Sequence, residues 1–289
     1  MKIVVIADIG WSVGRVNSDI ANELTEHTFI FYNSASFIIQ DFFNDVNDCD
    51  IVLTTFNIYF DMDELIKNAK DRKKILLVCH GISDIRYIMN NPKFTGLSSD
   101  FTYSVTSDVL VPFFPIKPYI TENGVNSDHF TYTKRPGVIE SLGWVGAYSI
   151  PIKNIDWSYK IGWATKLPVT IASSMPFNKL IKLYQNIDIL LVTSGPEEYE
   201  ETGPLPPFEA IASGVLVIGT SVGNFSHVPG PKFKTIEEAA QIINELKNDP
   251  ERVLSIIKEQ YEFVMENYTY KKLAKKWNTV FEYIHEGKT

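Results

Sequence analysis

The stretch that decides the fold is Glu201-Thr202-Gly203-Pro204-Leu205-Pro206-Pro207-Phe208-Glu209-Ala210-Ile211-Ala212-Ser213-Gly214, followed by the apolar run Val215-Leu216-Val217-Ile218. This pattern predicts a loop, a helix, a tight turn and a buried strand, in that order. Two carboxylates lie eight positions apart in it, Glu201 in the loop and Glu209 near the start of the helix. Loop, helix and buried strand in this order are typical of an α/β protein.

The same alternation of short apolar runs with amphipathic stretches extends over nearly the whole chain and predicts two sets of parallel strands. The first set comprises residues 3–7, 29–32, 51–54, 75–79, 103–106 and the neighbourhood of Ile120. The second set comprises residues 141–145, 170–172, 187–192 and 215–218. Helices are predicted at 16–26, 63–70, 177–184, 236–245, 251–266 and 270–285. Prolines at 112, 115 and 118 indicate a connecting segment that is not helical.

The composition disfavours several classes of protein. Hydrophobic residues make up 45% of the chain, enough for a sizeable core, and the net charge of −8 disfavours general nucleic-acid binding. Neither Cys49 nor Cys79 lies in a metal-ligand spacing, so both are interpreted as buried residues of a reducing compartment, and no metal site is expected. The first residues lack a signal-peptide pattern, and no stretch approaches the roughly 18 apolar residues of a transmembrane helix. The sequence therefore predicts a cytoplasmic location.

Two further segments accompany the first stretch. Asn123-Gly124-Val125-Asn126 predicts a turn, because Gly124 tolerates a positive φ. The segment from Gly143 to Asn154 predicts a strand that ends at Gly146. Together with the Glu-x7-Glu stretch, these segments resemble the retaining glycosyltransferases of family 4, which have the GT-B fold.

The resemblance implies an α/β architecture of two Rossmann-like domains that face each other across a cleft. The expected N-terminal acceptor-side domain comprises residues 1–121, and the expected C-terminal donor domain comprises residues 122–267. The last helix, within residues 268–289, is expected to cross back to the N-terminal domain.

The resemblance also assigns roles within the Glu-x7-Glu stretch. It implies that Glu201 contacts the donor sugar and that Glu209 binds the ribose, whose two adjacent hydroxyls suit a carboxylate near a helix N-terminus. The backbone N–H groups of the intervening loop are expected to point at the sugar and the diphosphate. That loop comprises Thr202, Gly203, Pro204 and Leu205. The alternative is a pair of solvated carboxylates that follow an acidic run.

A second group of roles concerns the diphosphate. Family members bind it with an arginine and a lysine that follow a strand and a glycine. Here Gly146 follows the strand, Ala147 stands at the arginine position, and Lys153 lies one residue later than the family spacing. Lys153 is expected to bind the diphosphate and stabilise the leaving group, with an ordinary surface lysine as the alternative.

Three more residues are candidates by position. His80 follows a predicted strand at its carboxyl end, where α/β sheets bind ligands, and is expected either to contact the transferred sugar or to be structural. Gly10 lies in the loop after the first strand, which in such transferases lies against the donor phosphates. That loop matches a dinucleotide-binding pattern too loosely for a nicotinamide cofactor. Ser173, after a strand of the second set, is a candidate for holding the base.

The resemblance therefore implies a metal-independent, retaining transferase of a hexose-type sugar, with Glu201, His80 and Lys153 as catalytic residues. The expected donor is a UDP- or GDP-sugar, no cofactor is expected, and the acceptor is a glycan, a lipid-linked molecule or a protein. Two alternatives stay open. One is a non-catalytic sugar-nucleotide or glycan-binding protein, which is suggested by Ala147 at the position of the family arginine. The other is a nucleotide-sugar 2-epimerase of the same fold, which should carry more acid/base side chains.

Overall fold

The computed structural model of the protein describes residues 1–8, 12–33, 39–55, 65, 67, 69–90, 100–114, 116–195 and 201–288. The chain divides into two units. The N-terminal unit comprises Met1–Asn123 and Tyr270–Thr289, and the C-terminal unit comprises Gly124–Thr269. The chain therefore passes from one unit to the other twice.

Ten strands and nine α-helices lie within the described residues. The strands are β1 (Lys2–Ala7), β2 (Thr28–Asn33), β3 (Ile51–Thr55), β4 (Ile75–Cys79), β5 (Thr102–Val105), β6 (Tyr119–Ile120), β7 (Leu142–Val145), β8 (Val169–Ala172), β9 (Ile189–Val192) and β10 (Leu216–Gly219). The helices are α1 (Ser12–Glu23), α2 (Ile39–Asp48), α3 (Ile82–Asn90), α4 (Ile155–Thr165), α5 (Phe177–Asn186), α6 (Leu205–Ala212), α7 (Ile236–Leu246), α8 (Pro250–Asn267) and α9 (Tyr270–His285). Short 3₁₀ helices occur at Asp108–Phe113, Pro151–Lys153 and Gly223–His227. Among these helices, none combines the length and the apolar character that crossing a membrane requires.

The N-terminal unit is built on a parallel sheet of six described strands in the order β2-β1-β3-β4-β5-β6. Ile3 of β1 lies opposite Phe29 of β2 and Ile51 of β3. Strands β3 and β4 are buried at every position, as expected for a parallel sheet whose two faces are both covered. Helix α9 packs against α1 and buries Trp277 and Phe281.

The C-terminal unit is built on a parallel sheet of four described strands in the order β10-β9-β7-β8. Side chains of β10 alternate between two cores, because successive residues of a strand point to opposite faces. Val217 packs in the core that contains Phe208 of α6. Leu216 and Ile218 pack in the opposite core, with Ile243 of α7. Both faces of this sheet are therefore covered by helices.

The sequence predictions of an α/β fold and of its strands are confirmed, each strand to within two residues at either end. The predicted start and end of the first helix were wrong. The helix begins at Ser12 and includes Gly14, which is buried and whose carbonyl accepts a 2.9 Å hydrogen bond from Ser18 Oγ. It ends at Glu23, because Thr28 already pairs with β1.

The proline-rich connection also differs from its prediction. Asp108–Phe113 forms a 3₁₀ helix that contains Pro112. The N–H groups of Leu110 and Phe114 each donate a 3.2 Å hydrogen bond to a carbonyl three residues earlier. These turns therefore form without the N–H that Pro112 lacks. Four of the eight residues of the helix predicted at 63–70 lie outside the described residues. Within that range Leu65 and Lys67 are helical, whereas Ala69 and Lys70 are not.

Thr235 and Glu238 form a cap at the N-terminus of α7. Thr235 Oγ1 accepts a 3.2 Å hydrogen bond from Glu238 N–H. In return, the Glu238 carboxylate accepts a 2.6 Å hydrogen bond from Lys234 N–H. The cap therefore satisfies two backbone donors at the start of the helix.

A buried glutamine completes the backbone hydrogen bonding of β10, the last described strand at one edge of its sheet. Gln260 of α8 is fully buried, and its Oε1 accepts a 3.0 Å hydrogen bond from Val217 N–H. Its Nε2 donates to the carbonyls of Val217 at 2.7 Å and Pro229 at 3.0 Å. The amide of Gln260 therefore takes the place of a neighbouring strand.

We expect Gln260→Leu to lower the free energy of unfolding by about 2–4 kcal/mol, because it leaves the buried N–H and C=O of Val217 without partners. Urea denaturation measures this effect. Gln241→Leu is the matched control, since Gln241 lies exposed on α7 and donates only to Glu245 of the same helix. An unchanged urea midpoint for Gln260→Leu would contradict the interpretation.

Candidate functional site

The candidate residues of the C-terminal unit gather at the carboxyl edge of its sheet. Because all strands of the sheet are parallel, their carboxyl ends meet at the same edge, where α/β proteins bind ligands. The residues that directly follow the strands are Gly146, Ser173, Thr193 and Thr220. Two connections also start here: the β7–α4 connection contains Lys153, and the β9–α6 connection contains Glu201.

The two predicted charged groups of this edge form an ion pair. Lys153 Nζ contacts Oε2 of Glu201. The same carboxylate oxygen accepts a 3.4 Å hydrogen bond from Ser194 Oγ. The side chains of Lys153 and Glu201 are 18% and 11% exposed, so the pair is largely buried but retains some contact with solvent. The structure therefore places a cation and a carboxylate together at one point of the edge.

The backbone of Lys153 is held by the neighbouring strand. Lys153 ends the 3₁₀ helix Pro151–Lys153, and its carbonyl accepts a 2.8 Å hydrogen bond from Thr193 Oγ1. Thr193 in turn accepts a 3.0 Å hydrogen bond from Trp144 Nε1. Neither Thr193 nor Trp144 was predicted to belong to the site, although Thr193 is a polar residue directly after a buried strand.

Glu209 occupies a different environment from Glu201. It is the fifth residue of α6 and only 2% exposed. Its Oε2 accepts a 2.8 Å hydrogen bond from the hydroxyl of Tyr184 on α5. The alternative of a solvated carboxylate is therefore wrong for Glu209, because this side chain is buried and hydrogen bonded.

The loop between the two glutamates is held by the turn that follows β10. Asn224 N–H donates a 2.9 Å hydrogen bond to the carbonyl of Thr202, which is buried. Gly223 has a φ of +42°, and a Cβ added there would lie 2.0 Å from the same carbonyl oxygen. In the expected anion-binding loop, Pro204 has no N–H, so the backbone donors are those of Thr202, Gly203 and Leu205.

Gly146 and Ser173 connect the ends of β7 and β8. Gly146 N–H donates a 3.0 Å hydrogen bond to the carbonyl of Ala172, and a Cβ on Gly146 would lie 2.9 Å from the Trp144 ring. Ser173 Oγ accepts a 3.0 Å hydrogen bond from Tyr148 N–H. Ser173 therefore fixes the segment that contains Ala147. Its predicted contact with a base stays a prediction.

His80 lies in the N-terminal unit, directly after β4. Its backbone N–H donates a 2.7 Å hydrogen bond to Asp84 Oδ2. The ring lines a small cavity with Asn17, Thr54 and Trp277, and burial lowers the pKa of His80 to about 4. At neutral pH the imidazole is therefore uncharged. Gly10, the other candidate of this unit, lies outside the described residues.

Metal-binding and thiol chemistry have no assembled site in the part of the chain that the structure describes. No group of three or more His, Cys, Asp or Glu side chains is placed there to hold a metal ion. Cys49 and Cys79 are unbridged and buried, and burial raises the pKa of both thiols.

We expect Gly223→Ala to displace the loop that contains Glu201, because the added methyl group overlaps the Thr202 carbonyl. The expected results are a lower thermal midpoint and faster amide hydrogen exchange in a peptide that covers residues 201–212. Gly287→Ala is the matched control, since Gly287 also has a positive φ, +68°, but no atom lies within 4 Å of the added Cβ. Equal exchange in the two variants would show that the overlap has no effect on the loop.

We expect His80→Gln to make the fold less sensitive to acid. The pKa of His80 is about 4 in the fold and 6.5 for an ordinary histidine, so the unfolded chain takes up the proton first as the pH falls. Protonation of the unfolded chain therefore destabilises the wild type between these two pH values, by at most about 3 kcal/mol. The free energy of unfolding, measured from pH 8 to pH 4, should rise in the variant relative to wild type only below about pH 6.5. His227→Gln, at an exposed position, is the control, and a pH-independent difference would refute the interpretation.

Comparison with known proteins shows a family likeness in sequence and a shared fold. Residues 140–279 match the model of a family described as glycosyl transferase-like. No curated protein matches the chain. Three solved structures share the fold over almost their whole length. AviGT4, a glycosyltransferase involved in avilamycin A biosynthesis, is 12% identical, with 99% of this chain and 98% of that chain covered and a TM-score of 0.66.

The second structure is the DNA modifying enzyme β-glucosyltransferase, which is 12% identical, with 98% of this chain and 99% of that chain covered and a TM-score of 0.65. The third is an α,α-trehalose-phosphate synthase from Burkholderia xenovorans, which is 8% identical, with 98% and 100% covered and a TM-score of 0.66. At these identities the structures show the fold, and membership of family 4 stays a prediction. The chain is therefore similar to glycosyl transferase-like proteins over residues 140–279, and it has the GT-B fold of glycosyltransferases.

Proposed function

We propose that the protein is a glycosyltransferase that moves a hexose-type sugar from a nucleoside-diphosphate sugar to an acceptor, with retention of configuration and without a metal ion. The observation that carries the proposal is the contact between Lys153 and Glu201 at the carboxyl edge of the C-terminal sheet. Glu209, eight residues after Glu201, lies in the helix that follows. These three side chains supply one cation and two hydrogen-bond acceptors, which suit a diphosphate, a sugar and a ribose.

In this proposal Lys153 binds the diphosphate of the donor. In the structure the ammonium group of Lys153 contacts the carboxylate of Glu201. When the donor binds, phosphate oxygens would take the place of that carboxylate on the ammonium group. Negative charge develops on the diphosphate as the bond to the sugar breaks. Because the backbone of Lys153 is held by Thr193, only its side chain has to reorient for the ammonium group to stabilise that charge.

The two glutamates bind hydroxyl groups in the proposal. An ionised carboxylate only accepts hydrogen bonds, and it therefore selects hydroxyl donors. Glu201, in the loop and partly open to solvent, would contact the transferred sugar. Glu209, in the buried helix, would contact the ribose. The backbone donors of Thr202, Gly203 and Leu205 lie between them in the chain.

The proposed reaction needs no covalent enzyme intermediate. The bond between the anomeric carbon and the diphosphate oxygen breaks, and the acceptor oxygen bonds to the same face of that carbon. The acceptor proton passes to the departing diphosphate, which acts as the base. Neutral His80 would contact the sugar through hydrogen bonds. No cofactor takes part.

Among UDP- and GDP-sugars, we favour a UDP-sugar as the donor. The DNA modifying β-glucosyltransferase is described with its substrate uridine diphosphoglucose, and the trehalose-phosphate synthase is described as UDP-forming. Both proteins share the fold of this chain. The cytoplasmic location expected from the sequence would give the enzyme access to such donors.

The proposal is tested by donor binding and slow donor hydrolysis across a panel of UDP- and GDP-sugars, with and without EDTA. We expect Glu209→Ala to weaken nucleotide binding roughly 10- to 100-fold, because it removes hydrogen bonds to a charged acceptor.

We expect Lys153→Met to lower the rate of hydrolysis roughly 100-fold or more, because the leaving group loses its cation.

Glu251→Ala is the matched control, because Glu251 lies exposed in the first turn of α8. Hydrolysis that EDTA abolishes would overturn metal independence. Binding of no nucleotide sugar by the wild type would overturn the proposed function itself. Binding without turnover, even with a panel of acceptors, would instead favour a sugar-nucleotide-binding protein.

A further inference from the structure

We infer that Tyr184 is a positioning residue that fixes the carboxylate of Glu209 for the ribose hydroxyls of the donor. The inference rests on the proposed function and adds a residue that the sequence pattern did not single out. The direct observation is the 2.8 Å hydrogen bond that the Tyr184 hydroxyl donates to Glu209 Oε2. Both side chains are buried, at 0% and 2% exposure, so water does not compete for this bond.

The ring of Tyr184 is held by aromatic packing. It meets Phe130 edge to face, with ring centroids 5.8 Å apart and planes at 68°. Phe130 in turn meets Phe177, near the start of α5, at 5.5 Å and 84°. Edge-to-face contacts of this kind are favourable and directional. The phenol therefore has little freedom to follow a moving carboxylate.

The backbone of Tyr184 is held by a buried arginine. Arg135 donates to the carbonyl oxygens of Tyr184, Gln185 and Ile187. These carbonyls lie at the end of α5, where a helix leaves acceptors without intrahelical partners. Arg135 thereby fixes the last turn of α5 and, with it, the origin of the Tyr184 side chain.

The hydrogen bond from Tyr184 fixes the orientation of the Glu209 carboxylate. A hydrogen bond to an ionised carboxylate in a low-dielectric environment is stronger than one between neutral groups. It also restricts rotation of the carboxylate plane. Since a carboxylate has about four acceptor positions, the bond from Tyr184 is compatible with further hydroxyl donors. Tyr184 is therefore expected to set how well the site distinguishes a ribose from a sugar without the diol.

The experiment compares UDP with 2′,3′-dideoxy-UDP on wild type and on Tyr184→Phe, which removes one oxygen atom and keeps the ring. For the wild type we expect a preference for UDP of tenfold or more. For Tyr184→Phe we expect that preference to fall severalfold, with affinity for the dideoxy analogue unchanged within about twofold. Tyr261→Phe is the matched control, because Tyr261 packs at the edge of the same core. It should leave both affinities unchanged.

A second measurement keeps the protein sequence nearly intact. With 3-fluorotyrosine placed at position 184, the ¹⁹F signal is expected to shift on addition of UDP and to shift much less with the dideoxy analogue. This readout also decides the case if Tyr184→Phe fails to fold.

Two results would overturn the inference while leaving the proposed function in place. One is an undiminished preference for UDP in Tyr184→Phe. The other is an equal loss of affinity for both analogues, which indicates a structural role alone. A wild type that binds neither UDP nor its dideoxy analogue, and no other nucleoside diphosphate, would overturn the proposed function and this inference together.

Discussion

The parallel pairing of β9 between β10 and β7 is the constraint on which the candidate site depends. All residues of β9 are buried, so its register in the sheet is specified by both of its faces. Parallel strands end at one edge, and this pairing brings the residues after β9 beside the connection that follows β7. Thr193 then holds the backbone of Lys153, and Ser194 donates to Glu201. The pairing of the strands therefore determines which charged residues of the site can come together.

The two glutamates of the Glu-x7-Glu stretch have different surroundings, and this difference matches their different proposed roles. Glu201 is balanced by a cation in a loop that retains some exposure to solvent. Glu209 is buried in a helix and held by a phenol. An ion pair can exchange one partner for a phosphate or a hydroxyl as a ligand binds. A buried, hydrogen-bonded carboxylate keeps its orientation, which suits a group that recognises the fixed geometry of a diol.

Much of the fold could be predicted from hydrophobic periodicity, because both sheets are parallel and buried strands appear as short apolar runs. The start of α1 at Ser12 was missed, since the nearby glycines favoured a loop. The charged residues of the site were found by their spacing and by family resemblance. The residues that hold them were not, because Thr193 contacts Lys153 over 40 positions and Tyr184 contacts Glu209 over 25. No local pattern encodes contacts of that range.

By itself, the sequence determined the fold class and the order of the elements, because these follow from local periodicity. The resemblance to a family singled out the charged residues of the candidate site. Only the tertiary structure decided that Lys153 and Glu201 contact each other, that Glu209 is buried against Tyr184, and that the turn at Gly223 holds the loop between the glutamates. These contacts join elements distant in the chain. They arise where parallel strands end together and helices close over the sheet, and that arrangement exists only after the chain has folded.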